Sequence, residues 1–241
     1  MGPCQKSKKD LVCKKMFKFQ HPFTCLCAGP TSCGKSTFVK RVIDTKIIEP
    51  QPEKIMWLYA EDQPLYHTLK QVTFHKGIPD DIEDLFDVTK TNLLIIDDLM
   101  TKCHSDERLT RLFSVGSHHK NLSIIFIVHN IFHQGKEMRN ISLNTHYIVL
   151  FKNPRDNQQI STLARQIYPN AWRFLVEVFR DATSMPHGYL LLDFKHTTPD
   201  TLRIRTGLFP DATQYVYTKE NVSERSFVIE QAMEEHVSES K

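Results

Sequence analysis

Long apolar runs are scarce in this 241-residue sequence. The longest, such as residues 123–128 (SIIFIV) and 189–192 (YLLL), are strand-length. They fall well short of the ~18 residues a membrane helix needs, so no membrane partner is expected. The N-terminus carries charge but no apolar h-region, so a secretory leader is not expected and a soluble, intracellular protein is. Cysteine occurs six times, as Cys4, Cys13, Cys25, Cys27, Cys33 and Cys103, without the spacing of a disulfide framework or a zinc site. A reducing compartment follows. His129 and His133 are four apart with His118 and His119 nearby, but no helix is expected at 129 to put the first pair on one face, which argues against zinc. Internal repeats and low-complexity stretches are missing too.

A large net charge is also lacking. The formal value of +3 argues against a protein that merely coats DNA. Its distribution is uneven. Lys6, Lys8, Lys9, Lys14, Lys15 and Lys18 crowd the start of the chain against the single acid Asp10, whereas Glu220, Glu224, Glu230, Glu234, Glu235 and Glu239 make the end acidic. A lysine-rich arm can touch nucleic acid, serve as a nuclear address or remain a solvated tail. The expected organisation is a flexible basic arm over 1–20, one α/β domain over 21–210 and an acidic tail over 211–241. At this length, 40% apolar residues suffice for a full core.

Strands are expected at 23–28, 54–60, 93–96, 124–128 and 147–151, most of them continuous apolar runs of the kind buried on both faces of a parallel sheet. Helices are expected at 35–44, 106–119, 154–167 and 170–182, with short helices in 62–90. Residues 189–194 and 201–209 read as a closing strand pair. Alternating strands and helices imply an α/β fold with a mainly parallel sheet covered on both faces. Arg203 and Arg205 alternate with Leu202 and Ile204, which suggests a half-buried strand with a basic outer face.

Between the first strand and the first helix, Gly29-Pro30-Thr31-Ser32-Cys33-Gly34-Lys35-Ser36 fits the phosphate-loop pattern G-x-x-x-x-G-K-[ST] in full, with Thr37 next. The glycines let the backbone turn its N–H groups toward phosphates, and the helix adds its positive end. Lys35 is expected to reach the β- and γ-phosphates of ATP, and the Ser36 hydroxyl to ligate Mg²⁺. A chance match in a chain this long is on the order of one per cent at average residue usage. Asp97 and Asp98 close the run Leu93-Leu94-Ile95-Ile96. Asp97 is the expected Mg²⁺ carboxylate, and Asp98 the residue that orients or deprotonates the attacking water. Strand 124–128 ends at His129 and Asn130. Asn130 is the first candidate for a γ-phosphate sensor and His129 the second. Arg139 and Arg155 are candidates for an arginine delivered to a neighbouring subunit's ATP. Cys33 is a candidate accessible thiol.

The strand at 54–60 separates the phosphate-loop strand from the strand of Asp97 in sequence. With an acid after the Mg²⁺ aspartate, this arrangement resembles that of the additional-strand class of P-loop NTPases, and the resemblance implies a class rich in motors and translocases. Together, residues 29–36, 93–98, 128–130 and the run 135–156 (GKEMRNISLNTHYIVLFKNPRD) resemble viral genome-packaging ATPases of the FtsK–HerA superfamily, most of all those of Polinton/Maverick elements and adintovirus-like viruses. The resemblance spans about residues 20–210. It implies a homo-oligomeric ring that threads double-stranded DNA into a capsid, with capsid proteins as partners. The host nucleus or virion assembly site is the implied place of work. Lys35, Ser36, Asp97, Asp98, Asn130 and Arg139 fall on the family's functional positions. Asp98 stands where many relatives have glutamate and Asn130 where glutamine is common. A minimal motor is implied, with no added barrel or nuclease. Two other classes remain as alternatives: a nucleotide-gated assembly switch and a nucleoside kinase, the latter lacking a clear acceptor site or lid.

Overall fold

The computed structural model describes residues 17–82, 84–99, 111–113, 120–131 and 141–218, and the backbone of 226–227. In chain order the elements are β1 (Phe19–Gln20), β2 (Thr24–Ala28), α1 (Lys35–Asp44), β3 (Ile48–Glu49), β4 (Lys54–Tyr59), a 3₁₀ turn at Tyr66–Thr68, β5 (Thr73–Lys76) and β6 (Asn92–Asp97). There follow β7 (Leu122–Val128), β8 (Tyr147–Phe151), α2 (Gln158–Ile167), α3 (Trp172–Ala182), β9 (Tyr189–Asp193), a 3₁₀ turn at Asp200–Leu202, β10 (Ile204–Thr206), β11 (Tyr215–Val216) and β12 (Ser226–Phe227).

Ten strands make one sheet in the order β12-β11-β10-β9-β8-β2-β7-β6-β4-β5. Every pair from β8 to β5 is parallel, and every pair from β8 to β12 is antiparallel. β2, β6, β7 and β8 are buried along their whole length. That explains why they read as unbroken apolar runs: alternate residues feed two cores. Leu26, Leu94, Ile96 and Phe126 pack under α2 and α3, while Cys25, Cys27, Trp57 and Ile95 pack under α1. Burial raises the thiols of Cys25 and Cys27 well above their ordinary value, as suits core residues.

The strand of Asp97 is not the neighbour of the phosphate-loop strand. β7 lies between them, pairing Thr24–Ala28 on one side and Asn92–Asp97 on the other. β4, which separates the two in sequence, lies on the far side of β6. The chain therefore has the additional-strand order.

Local forces fix α1 over the site. It starts after Gly34, whose φ of 107° ends the preceding loop. Phe38, Val39, Val42 and Ile43 form its buried stripe. Thr45 Oγ1 donates to the Arg41 carbonyl at 2.6 Å at its end. Phe38 meets Tyr189 at 4.8 Å and Phe209 at 5.3 Å between ring centroids, locking the helix to the antiparallel half of the sheet. Each such buried ring contributes roughly 1.5–3 kcal/mol.

Several expectations change. The arm expected over 1–20 does not extend to its assigned end. Phe17 and Phe19 are buried, and β1 pairs with β3 in parallel, Phe19 opposite Ile48. The span expected as tail from 211 is folded at its start: β11 extends the sheet, and Val216 and Tyr217 are buried. β5 was not expected. It is an exposed edge strand with a single half-buried residue, so no apolar run marks it. The strand expected at 201–209 shrinks to Ile204–Thr206 because the 3₁₀ turn precedes it and Gly207, at φ 68°, ends it. The basic outer face expected there is corrected as well: Arg205 is buried and ion-paired with Asp193 of β9. The helix expected at 106–119 lies outside the described residues except for 111–113.

Candidate nucleotide-binding site

The loop after β2 turns back on itself through two left-handed residues, Ser32 at φ 63° and Gly34 at φ 107°. A Cβ on Gly34 would stand 3.1 Å from His187 Nδ1, so both conformation and space favour glycine. Gly29 faces β8: a Cβ there would lie 2.7 Å from the Cβ of Phe151. Lys35 is buried, and its ammonium donates to the carbonyls of Gly29 at 2.7 Å and Pro30 at 2.8 Å. From the other side, His187 Nδ1–H donates to the Cys33 carbonyl at 3.1 Å and braces the loop.

Asp97, at the end of β6, is 3% exposed. Its Oδ2 accepts two hydroxyl donors, Ser36 Oγ at 3.1 Å and Tyr66 Oη at 2.9 Å. Burial pushes the Asp97 carboxyl above the usual carboxylate range. The two hydroxyls oppose that shift, the charge of Asp98 adds to it, and Lys35 opposes it. Burial also holds the Tyr66 phenol well above its ordinary value, so Tyr66 remains a donor.

Asp98 adopts φ 55°, a conformation aspartate tolerates. Its Oδ1 lies 2.9 Å from His129 Nε2, across the gap between the ends of β6 and β7. Both side chains are about half exposed at the rim of a cavity of about 580 Å³. Thr31, Ser32, Gly34, Lys35, Ser36 and Thr37 line that cavity. Asp97, Asp98 and His129 also line it, as do Arg41, Tyr189 and Phe209. The Arg41 guanidinium stacks over the Phe209 ring at 4.0 Å and pairs with Asp211.

The structure thus brings together Lys35, Ser36, Asp97 and Asp98, as the sequence pattern implies. Gly29 contributes backbone behind the loop, and Pro30 and Cys33 line a separate cavity on that side. Of the two sensor candidates, His129 reaches Asp98, and Asn130 does not line the cavity. Arg155 is exposed in the turn after β8, where its N–H donates to Asn153 Oδ1 at 3.1 Å. Arg139 lies outside the described residues. Among the described residues no cluster of three or more His, Cys, Asp or Glu could hold a metal, and no helix is long and apolar enough to cross a membrane.

Sequence reasoning missed Tyr66, His187 and Arg41. Arg41 follows Lys35 by six on the same helix and could have been suspected. Tyr66 and His187 lie in irregular segments that only the tertiary fold brings to the loop.

No protein-family model matches the sequence, and no curated protein sequence matches it either. Solved structures do. The DNA-packaging ATPase B204 of Sulfolobus turreted icosahedral virus is similar over 77% of this chain and 97% of its own, with 13% identity and a TM-score of 0.53. The genome-packaging NTPase B204 of Sulfolobus turreted icosahedral virus 2, solved with AMPPCP, matches over the same shares with 12% identity and a TM-score of 0.50. At such identities the likeness establishes a shared fold, that of a P-loop NTPase.

Proposed function

We propose that this chain is an ATPase that translocates double-stranded DNA and packages a viral or virus-like genome into capsids. It would act as a homo-oligomeric ring of the FtsK–HerA type, related to the packaging ATPases of Polinton/Maverick elements and adintovirus-like viruses, in the host nucleus or at the site of virion assembly. The reading rests on one observation: Lys35, Ser36 and Asp97 meet on one cavity, with the Asp98–His129 pair at its rim, in a fold shared with B204.

The residues present fit Mg²⁺-ATP. Ser36 and Asp97 offer a hard-oxygen pair 3.1 Å apart, which phosphate and water oxygens would complete for Mg²⁺. The Lys35 ammonium, bonded to loop carbonyls, can exchange them for phosphate oxygens. Bound Mg²⁺ would neutralise charge developing between the β- and γ-phosphates. Backbone amides of residues 29–37 would cradle those phosphates. Asp98 accepts a proton from, or aligns, the attacking water, and His129 holds Asp98 in place. Asn130 is the remaining sensor candidate. Arg139 is the proposed arginine donated to the neighbouring subunit, and capsid proteins are the proposed docking partners.

Steady-state ATP turnover, measured with and without double-stranded DNA, tests this. Turnover should rise with DNA and vanish in Lys35→Ala. Asp98→Asn should still bind ATP while losing about 10²–10⁴-fold in rate. Turnover indifferent to DNA in an assembled ring would overturn packaging and leave a nucleotide-gated assembly switch.

A further inference from the structure

The cavity over the phosphate loop reaches past the loop to Arg41 and Phe209. Thr37 and Arg41 stand four residues apart on α1, so they share a face of that helix, and both line the cavity. At 1.5 Å per residue, Arg41 lies roughly 9 Å along the helix axis from Lys35. A side chain so far from the Lys35 ammonium is placed for the nucleoside end of a nucleotide rather than for its β- and γ-phosphates. Arg41 is held there from two sides. Its guanidinium sits over the Phe209 ring, 4.0 Å from the centroid, and pairs with Asp211 through Nη2. Phe209 is itself fixed: it is buried and packs on Phe38 at 5.3 Å and Tyr189 at 6.1 Å between ring centroids. Tyr189 Oη accepts from the Leu208 N–H at 2.8 Å, which ties down the residue before Phe209. The guanidinium thus rests one face on an aromatic ring and has its charge matched by a carboxylate. Its side chain is nevertheless 41% exposed where it lines the cavity. The uncovered face is flat, cationic and weakly hydrated, a surface on which an aromatic base stacks.

We propose that Arg41 is the platform on which the nucleobase stacks, and that it makes the site prefer purine to pyrimidine nucleoside triphosphates. The proposal rests on the nucleotide reading above and deepens it by assigning what holds the base. A triphosphate on the loop leaves the rest of the nucleotide to continue over the next turn of α1, where Arg41 stands. A purine lays two fused rings on the guanidinium and a pyrimidine only one, so contact area favours the purine. The aromatic layer beneath, Phe209 on Phe38 and Tyr189, keeps the platform still, so little side-chain freedom is lost on binding. Asp211 balances the charge of Arg41, so the contribution of Arg41 falls on the base and not on the phosphates.

Calorimetry in the presence of Mg²⁺ tests this with four probes: AMPPCP, GMPPCP, CMPPCP and inorganic tripolyphosphate, which has no base. The proteins are the parent, Arg41→Ala and Arg41→Lys. The parent should bind both purine analogues more tightly than CMPPCP, and more tightly than tripolyphosphate. In Arg41→Ala the affinity for AMPPCP and GMPPCP should fall by about 5–100-fold, toward that for CMPPCP, while tripolyphosphate binds as in the parent. Arg41→Lys keeps the charge without the flat face and should restore little of the loss. An Arg41→Ala protein that loses tripolyphosphate affinity by the same factor would overturn the proposal, since Arg41 would then be shaping the loop or holding phosphate. Unchanged affinity for all four probes in that variant would overturn it too. A parent that binds CMPPCP as tightly as the purine analogues would overturn it without any variant and leave the phosphate site intact. A parent that binds none of the four would overturn this proposal and the nucleotide reading together.

Discussion

Asp97 is buried at the end of β6, and desolvation holds its carboxyl above the usual carboxylate range. The sign of the consequence follows from linkage. The folded, nucleotide-free protein binds this proton more tightly than the unfolded chain does, so Asp97 costs stability at neutral pH. That cost disappears as pH falls through the raised value toward 3.8. Asp97→Asn removes the buried charge and keeps an acceptor for Ser36 and Tyr66. Its nucleotide-free melting midpoint at pH 7 should be higher than the parent's by roughly 2–4 °C, the size expected of about 1 kcal/mol in a chain of this length. The advantage should shrink as melts are repeated toward pH 4, and Mg²⁺-nucleotide should no longer raise the midpoint. At this scale the sequence was most informative where chemistry dictates spacing. Gly34, Lys35 and Ser36 are tied by covalent neighbourhood, and Asp97 by its place at a strand end. Tyr66 reaches Asp97 from 31 positions away, a pairing set by a turn with no pattern of its own.

Elements buried on both sides were legible for the same reason that they are stable: β2, β6, β7 and β8 are apolar along their middles, with polar residues such as Thr24, Asn92, Asp97 and Ser123 only near their ends. β5 and β11 were not, since one is an exposed edge and the other is two residues long. Nor could alternation tell which face of β10 was covered. Phe17 lies over that face, with Arg205 5.8 Å from its ring centroid. Arg205 pairs with Asp193, and both are nearly fully buried. The two partners are unequal. Asp193 also accepts from the Lys195 N–H at 3.0 Å and Thr198 Oγ1 at 2.9 Å, so it keeps donors if Arg205 is lost. Asp193→Ala instead strands a buried guanidinium without its counter-charge and opens the turn after β9. It should cost about 3–5 kcal/mol in urea unfolding. Arg205→Met should cost distinctly less, and the order of the two tests the asymmetry.

For the whole molecule, the parallel half of the sheet carries the loop, Asp97, Asp98 and His129, all at the carboxyl ends of strands, while the antiparallel half supplies Tyr189 and Phe209 to the same cavity. β5 ends the parallel half. It is four residues long, and Thr73, His75 and Lys76 are exposed on it. Among the described residues its outer backbone edge has no strand beside it, and such an edge is a template for another strand. A second copy pairing there through its own β5 would close into a two-fold dimer, whereas pairing through the opposite sheet edge would be head-to-tail and, repeated without closure, would yield a filament. The shortness of β5 and the charge of Lys76 act against that outcome. Replacing Thr73, His75 and Lys76 together by valine should therefore promote edge-to-edge association, visible as rising light scattering. The polarity of one short edge strand thus guards the molecule against sticking to its own copies.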